Sequence, residues 1–221
     1  GYSITHTDFR VAQNKKGSRI ATMSNSSMAM FQPGGPFDVE GDYQDVVTRT
    51  NDIAEMLRQS KHVRITGPNS DLTIHVDPSL VHAWTGRVDR PGTVDNWLGA
   101  EAYVVPVHPD KGGDSKGWFN VHKGWGGRDQ LKHGTKVYIE GSRFVDLEAL
   151  DGSATAQRWI NDNLRPMVFG KQGYDVAAEL GFGTNPAVSG EYLMRNWSIA
   201  VAEKMFKSKN GKRTVHVAHG N

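Results

Sequence analysis

The chain has 221 residues, 37% hydrophobic and 23% charged, which is enough to bury a core without covalent staples. Lys and Arg number 26 against 24 Asp and Glu, a formal net charge of +2 that argues against nucleic-acid binding by bulk charge. There is no cysteine, which excludes disulfides, zinc–thiolate sites and thiol catalysis, so any metal must be held by His and carboxylates.

No apolar run approaches the roughly 18 residues that a membrane helix needs, and GYSITHTDFR lacks the charged-then-apolar order of a signal peptide. A cytoplasmic protein with no membrane or nucleic-acid partner is expected. Residues 1–40 predict irregular or short elements, with turn chemistry at Ser24 to Ser27 and from Gln32 through Pro33 to Pro36. From Asp42 to Lys61, Val46, Val47, Ile53, Met56 and Leu57 form one apolar stripe, which predicts a helix. His62 to Thr66 alternates and is closed by Gly67-Pro68, and Leu72, Ile74 and Val76 mark a second strand. Ala102 to Val107 is a dense apolar run suited to a buried strand. Gly112 to Gly127 reads as a loop or irregular hairpin, and Lys136 to Glu140 with Arg143 to Leu147 as a hairpin around Gly141-Ser142.

Two later helices are predicted. Asp151 to Arg165 carries Ala156, Trp159, Ile160 and Leu164 at helical spacing, with Pro166 as its stop. Ser189 caps a second, from Gly190 to Lys207, with Leu193, Trp197, Val201 and Met205 four residues apart. A short strand from Thr214 to Ala218 follows. The expected class is α+β, a mixed, mostly antiparallel central sheet with flanking helices, its strands concentrated in the middle third.

Three segments could carry chemistry. Glu101 stands at the mouth of an apolar strand, Glu179 opens the Gly-rich Leu180 to Pro186, and His216 alternates with His219 near the end of the chain. Two carboxylates and an imidazole are compatible with a divalent metal, and equally with a solvated edge Glu and a hydrogen-bonded His. His75 and His82 flank Asp77, but alternation puts His75 on the polar face of its strand and favours a surface role. Trp118 and Trp125 could stack on a sugar, whereas Trp159 and Trp197 fall on helical apolar stripes and read as core.

In order, these segments resemble the thermophilic metallo-aminopeptidases of the aminopeptidase T, aminopeptidase S and PepS type. Asn96 through Glu101 to Pro106 is similar to that family's Asn-x-Pro-x-Gly-Glu stretch and following Pro. Glu179 through Pro186 is similar to its Gly-Glu-Leu-Gly-x-Gly-Thr-Asn-Pro. Glu203-Lys204 and Thr214 through Gly220 are similar to its Asp-Glu-Lys and Gly-Thr-x-His-x-Ala-x-Gly, and Asn69 to Thr73 to its Gly-Thr-Asp-Leu-Thr. Leu98, Ala100, Ala178, Ala202 and Asn69-Ser70 depart from the family pattern, and Phe206 to Arg213 reads as an inserted, solvated basic loop.

The resemblance implies that Glu101, Glu179 and His216 are ligands of a two-metal site of Zn, Co or Mn, with a glutamate serving as general base. Such metals polarise a peptide carbonyl and acidify the attacking water. It also implies a peptide substrate, a homodimer, and a site completed further on by a Tyr and a His-x-Asp pair. Residues 1–40 would then be a lead-in or remnant of an N-terminal α/β domain, and residues 41–221 a metallo-aminopeptidase-like domain without its C-terminal end. The ring-opening dioxygenases of 2,5-dihydroxypyridine are similar in scaffold and imply Fe(II) as the alternative. A metal-free binding or scaffold relative is the third reading.

Overall fold

The computed structural model describes residues 7–22, 28–33, 43–96, 100–123, 131–185, 201–208 and 211–219. Helix α1 (Asp8–Lys15) starts at Thr7, whose hydroxyl accepts the Arg10 N–H. Strand β1 (Ile20–Thr22) pairs in parallel with β4 (Val94–Asn96), so the early chain is built of short elements, as its turn chemistry predicts.

Helix α2 (Gln44–Arg58) buries Val46, Thr50, Ala54 and Leu57. The stripe is narrower than the apolar residues suggest: Met56 is exposed, and Thr50 takes a buried place because its hydroxyl donates to the Val46 carbonyl at 2.7 Å. That same hydroxyl meets Thr184 Oγ1 at 2.6 Å, and Arg49 donates to the Thr184 carbonyl, tying the helix to the residue that follows the strand Ala177–Gly183.

The fold is α+β around one antiparallel sheet. Its strands are β2 (His62–Gly67), β3 (Ser70–Trp84), β5 (Glu101–Pro106), β6 (Lys116–Val121), β7 (Thr135–Glu140), β8 (Arg143–Ala149), β9 (Ala177–Gly183), β10 (Val201–Ser208) and β11 (Gly211–His219). They lie in the order β10-β11-β9-β5-β3-β6-β7-β8, with β2 pairing β3. Alternation puts Leu72, Ile74, Val76, Val104, Phe119, Val137, Leu180 and Val217 into one core, which α2 covers over β3 and β5.

Strand β3 organises the sheet. It pairs with β2 over Ser70–His75, with β6 over Ser70–Thr73, and with β5 at Val76 and over Val81–Trp84. Between Val76 and Val81 the register shifts, where Pro78 has no N–H to give and Asp77 instead accepts from the Ser79 amide and hydroxyl. Gly117 pairs with Leu72 at φ +124°, and a Cβ there would overlap the Asp71 carbonyl, so only glycine lets the two strands close.

Four expectations are corrected. Residues 116–121, inside a segment read as loop or irregular hairpin, form an ordinary sheet strand. Pro166 does not stop the helix: α3 (Ala154–Trp159) runs through a π-turn at Ile160–Leu164 into α4 (Arg165–Phe169), and the wider turn re-registers the backbone around the missing N–H. Residues 201–207 of the second predicted helix are strand β10, and its residues 190–200 lie outside the described residues. A spacing of four is also an even spacing, so Val201 and Met205 fit a strand as well as a helix. The supposed basic insertion supplies the adjoining ends of β10 and β11, where Phe206 pairs with Arg213 and Lys207 with Lys212. With β9 to β11 added, the sheet extends well beyond the middle third of the chain.

Phe119 is 1% exposed and packs edge-on to Phe144 with ring centroids 6.4 Å apart. Phe119→Ala is expected to cost about 3–5 kcal/mol of stability in urea unfolding, whereas Phe119→Leu, which keeps most of the volume, costs under about 1.5 kcal/mol. Equal losses for the two would place the ring outside the core.

Candidate metal centre

The three strands that carry the motif residues lie side by side. In β5 and β9, Glu101 pairs with Gly183 and Tyr103 with Gly181; in β9 and β11, His216 pairs with Gly181 and Ala218 with Glu179. Directly paired residues share a face, and so do residues two apart. Glu101, Tyr103, Glu179 and the register position of His216 therefore belong to one alternating set, on the sheet face opposite Val104, Leu180 and Val217. Glycines 181 and 183 leave the middle of that face without side chains.

Glu101 and Glu179 lie on opposite sides of Tyr103 along the strands. Four residues of offset separate their backbones by roughly 13–14 Å in that direction. Glu179 and His216 are diagonal neighbours across one strand pair, and Glu101 is the remote member. The carboxylates' effect is felt at the phenol between them: burial first, then Glu179 and Glu101, and finally Asp95, push the Tyr103 pKa up to about 12. A cation beside Glu179 or Glu101 would offset part of that negative charge.

Tyr103 is also part of an aromatic wall. His82 stacks on it with centroids 4.7 Å apart, and Trp84 meets it edge-on at 5.5 Å. His82 and Trp84 continue into a cavity of about 370 Å³ shared with Asn51 of α2, Arg87, Arg90 and Asp95. Asp95 is a buried carboxylate that accepts the Gly86 N–H at 3.1 Å, and with burial it pushes the Tyr43 phenol up. Neither the cavity nor Asp95 is signalled by spacing in the sequence, because its walls come from α2, β3 and the β3–β4 connection. Of the two tryptophans read as sugar platforms, Trp118 carries the Lys136 ammonium 4.2 Å from its ring centre, and Trp125 lies outside the described residues. Trp159 packs against the core, as its helical spacing predicts.

A second group stands at the other end of β3. His62 and His75 are direct partners across the β2–β3 hairpin, their rings stacked at 4.5 Å, and Asp114 approaches both from the connection before β6. A ligand atom from each of the three lies within 4.8 Å of the other two. Sequence reasoning set His75 beside Asp77 and missed this trio, although the hairpin could have disclosed half of it. With the turn centred on Pro68-Asn69, the count outward from Gly67 and Ser70 makes His62 and His75 opposite residues.

The Asp114 connection is braced. The Ser115 hydroxyl accepts the His75 N–H at 2.9 Å, the Val107 N–H donates to the His75 carbonyl at 2.8 Å, and Ser142 Oγ donates to Ser115 Oγ at 2.8 Å. These bonds serve β3 where it has left β6 and not yet joined the continuous run of β5.

No protein-family model matches the chain, and no curated protein matches it significantly. Among solved structures it is similar to 2,5-dihydroxypyridine dioxygenase from Pseudomonas putida KT2440, at 13% identity and a TM-score of 0.64, over 96% of this chain. The chain spans 63% of the length of that relative. The likeness is one of fold. Among the described residues no helix is long and apolar enough to cross a membrane.

Gly113 supports the Asp114 connection by close approach: a Cβ there would overlap the Val107 carbonyl. Gly113→Ala is expected to destabilise by about 1–3 kcal/mol in chemical denaturation. An unchanged midpoint would show that this connection is free to shift.

Proposed function

We propose that the chain is a metal-dependent enzyme, with Glu179 and His216 on the metal and Glu101 toward the substrate, and that it opens a hydroxylated aromatic ring. The observation that carries this reading is the aromatic wall of His82, Tyr103 and Trp84 beside Glu101, two members of which, His82 and Trp84, also line a cavity of small-ligand size. Likeness of fold to a dioxygenase supports it. A planar substrate would stack against Trp84 and His82, and Arg87 and Arg90 would attract an anionic hydroxyl or ring carboxylate. Ferrous iron in the site would supply the redox centre for O₂, and a ring that takes up both oxygen atoms as its C–C bond breaks needs no other reductant. Glu101, nearest the Trp84 end through its pairing with that residue, is placed to accept a substrate hydroxyl proton.

The second reading is metal-dependent removal of N-terminal residues from peptides, with Zn, Co or Mn in place of iron. The wide separation of Glu101 and Glu179 favours it, because two carboxylates so far apart can each serve one ion of a pair. On that reading Glu179 with His216 holds one ion and Glu101 the other. Homodimerisation belongs to the same proposal.

The assay is O₂ uptake by the Fe(II)-loaded chain with 2,5-dihydroxypyridine and related dihydroxylated rings. Expected are stoichiometric O₂ consumption and loss of ring absorbance, reduced roughly 10–100-fold or more by Glu101→Gln or Glu179→Gln. Trp84→Ala should raise KM with kcat largely kept, since it removes stacking felt equally by the bound substrate and the transition state. Aminoacyl-nitroanilide hydrolysis with Zn²⁺, Co²⁺ or Mn²⁺ and no O₂ uptake would replace the first reading by the second. Inactivity in both assays would leave a binding relative.

A further inference from the structure

We infer that His62, His75 and Asp114 form a separate binding site for a borderline divalent transition ion, with zinc as its natural test. The geometry is that of a three-ligand site. His62 Nε2 lies 2.9 Å from Asp114 Oδ1, at hydrogen-bond distance with the carboxylate accepting. His75 Nδ1 lies 2.9 Å from the same oxygen, within ion-pair range, yet its ring is not aligned for a hydrogen bond, and this nitrogen is buried without a hydrogen-bond partner.

A buried nitrogen left in that state normally has an ordered water or an ion to explain it. Here two imidazoles and a carboxylate already converge on the spot, one of them through that nitrogen. Zinc needs ligand atoms at about 2.0–2.2 Å from the ion, and hence somewhat over 3 Å from one another. The present separations require only a small outward movement, and Asp114, with a side chain 64% exposed, is free to make it.

The chemistry of the donors selects the ion. Two imidazole nitrogens and one carboxylate oxygen suit zinc and its neighbours in the transition series, whereas calcium and magnesium prefer oxygen alone. Three protein ligands and an exposed carboxylate leave at least one position for water. The supporting shell is in place, because the Ser115–Ser142 hydroxyl pair and the Val107 amide hold the backbones of both His75 and the Asp114 connection. A bound ion would pin that connection to the β2–β3 hairpin.

The site is independent of Glu101, Glu179 and His216, and its test is arranged so that the two can fail separately. The full chain carrying Glu101→Gln and Glu179→Gln is titrated with ZnCl₂ by calorimetry, with zinc retained after gel filtration measured alongside. One ion per chain is expected. Adding His62→Asn or Asp114→Asn, both at exposed side chains, should weaken binding at least roughly tenfold, as ligand loss costs no less than an outer-shell change. Circular dichroism and thermal melting confirm that these variants fold, and zinc should raise the melting temperature only where His62, His75 and Asp114 are intact. No zinc bound by the doubly substituted chain, or binding unchanged by His62→Asn and Asp114→Asn, would overturn the inference whatever the oxygenase assay shows.

Discussion

One strand must serve three neighbours, and the molecule is arranged around how it does so. β3 has 15 residues and cannot keep a single register, because β6 accompanies its first part and β5 its last. Sheet alternation is unforgiving of a one-residue slip, which would turn a buried row outward. The irregularity from Asp77 to Leu80 absorbs the mismatch. Leu72, Ile74 and Val76 face the core before it and Val81 after it, so an odd step has been inserted into an even pattern. His75 and His82, seven residues apart, thereby both stay off the core face. Without that step His82 would point at α2.

The same fork sets the positions of both polar groups. Upstream, β3 has parted from β6, and its free N–H and C=O at His75 are taken by the Ser115 hydroxyl and the Val107 amide. Those bonds draw the Asp114 connection over the imidazole. Downstream, β3 lies against β5, and the pairing of His82 with Tyr103 and Trp84 with Glu101 builds the aromatic wall beside the carboxylates. The backbone's demand for hydrogen bonds, rather than any affinity between the functional groups, brings the side chains together. Satisfying it stabilises the fold and orients the sites in one step.

Much of this is legible in the sequence where patterns are local. The α2 stripe, the β2–β3 hairpin and the β7–β8 hairpin follow from periodicity and turn residues, and so does the antiparallel α+β class. Local patterns are silent or ambiguous elsewhere for physical reasons. Val201 and Met205 satisfy two periods at once, and the alternation of Val215 and Val217 marks a strand without showing how long its partner is. Gly117 reads as a loop residue, although its function is to let β6 approach Asp71. Motif resemblance singles out Glu101, Glu179 and His216, but only register shows that Glu101 is separated from the other two by Tyr103. The cavity at Trp84 and Asp95 draws on elements distant in sequence, so no spacing rule could have found it.

The two groups differ in a way that bears on how one chain could keep two ions apart. Around Tyr103 the donors are mainly carboxylates, whose charge adds to burial in pushing the phenol's pKa up to about 12. At the hairpin they are mainly imidazoles, and the one carboxylate has its pKa lowered, chiefly by its hydrogen bond to His62. Carboxylate-rich surroundings favour harder ions and stabilise charge, whereas imidazole-rich surroundings favour zinc, nickel or copper and owe less to net charge. Discrimination would then come from donor type, since raw affinity follows the same metal order at both. Exposure adds a second distinction. In the hairpin group His62 and Asp114 are exposed, where an ion could exchange with solvent, while Tyr103, between the two carboxylates, is bordered by the His82 and Trp84 rings. On the function proposed for the carboxylate face, any lowering of the local dielectric by those rings would strengthen its charge interactions.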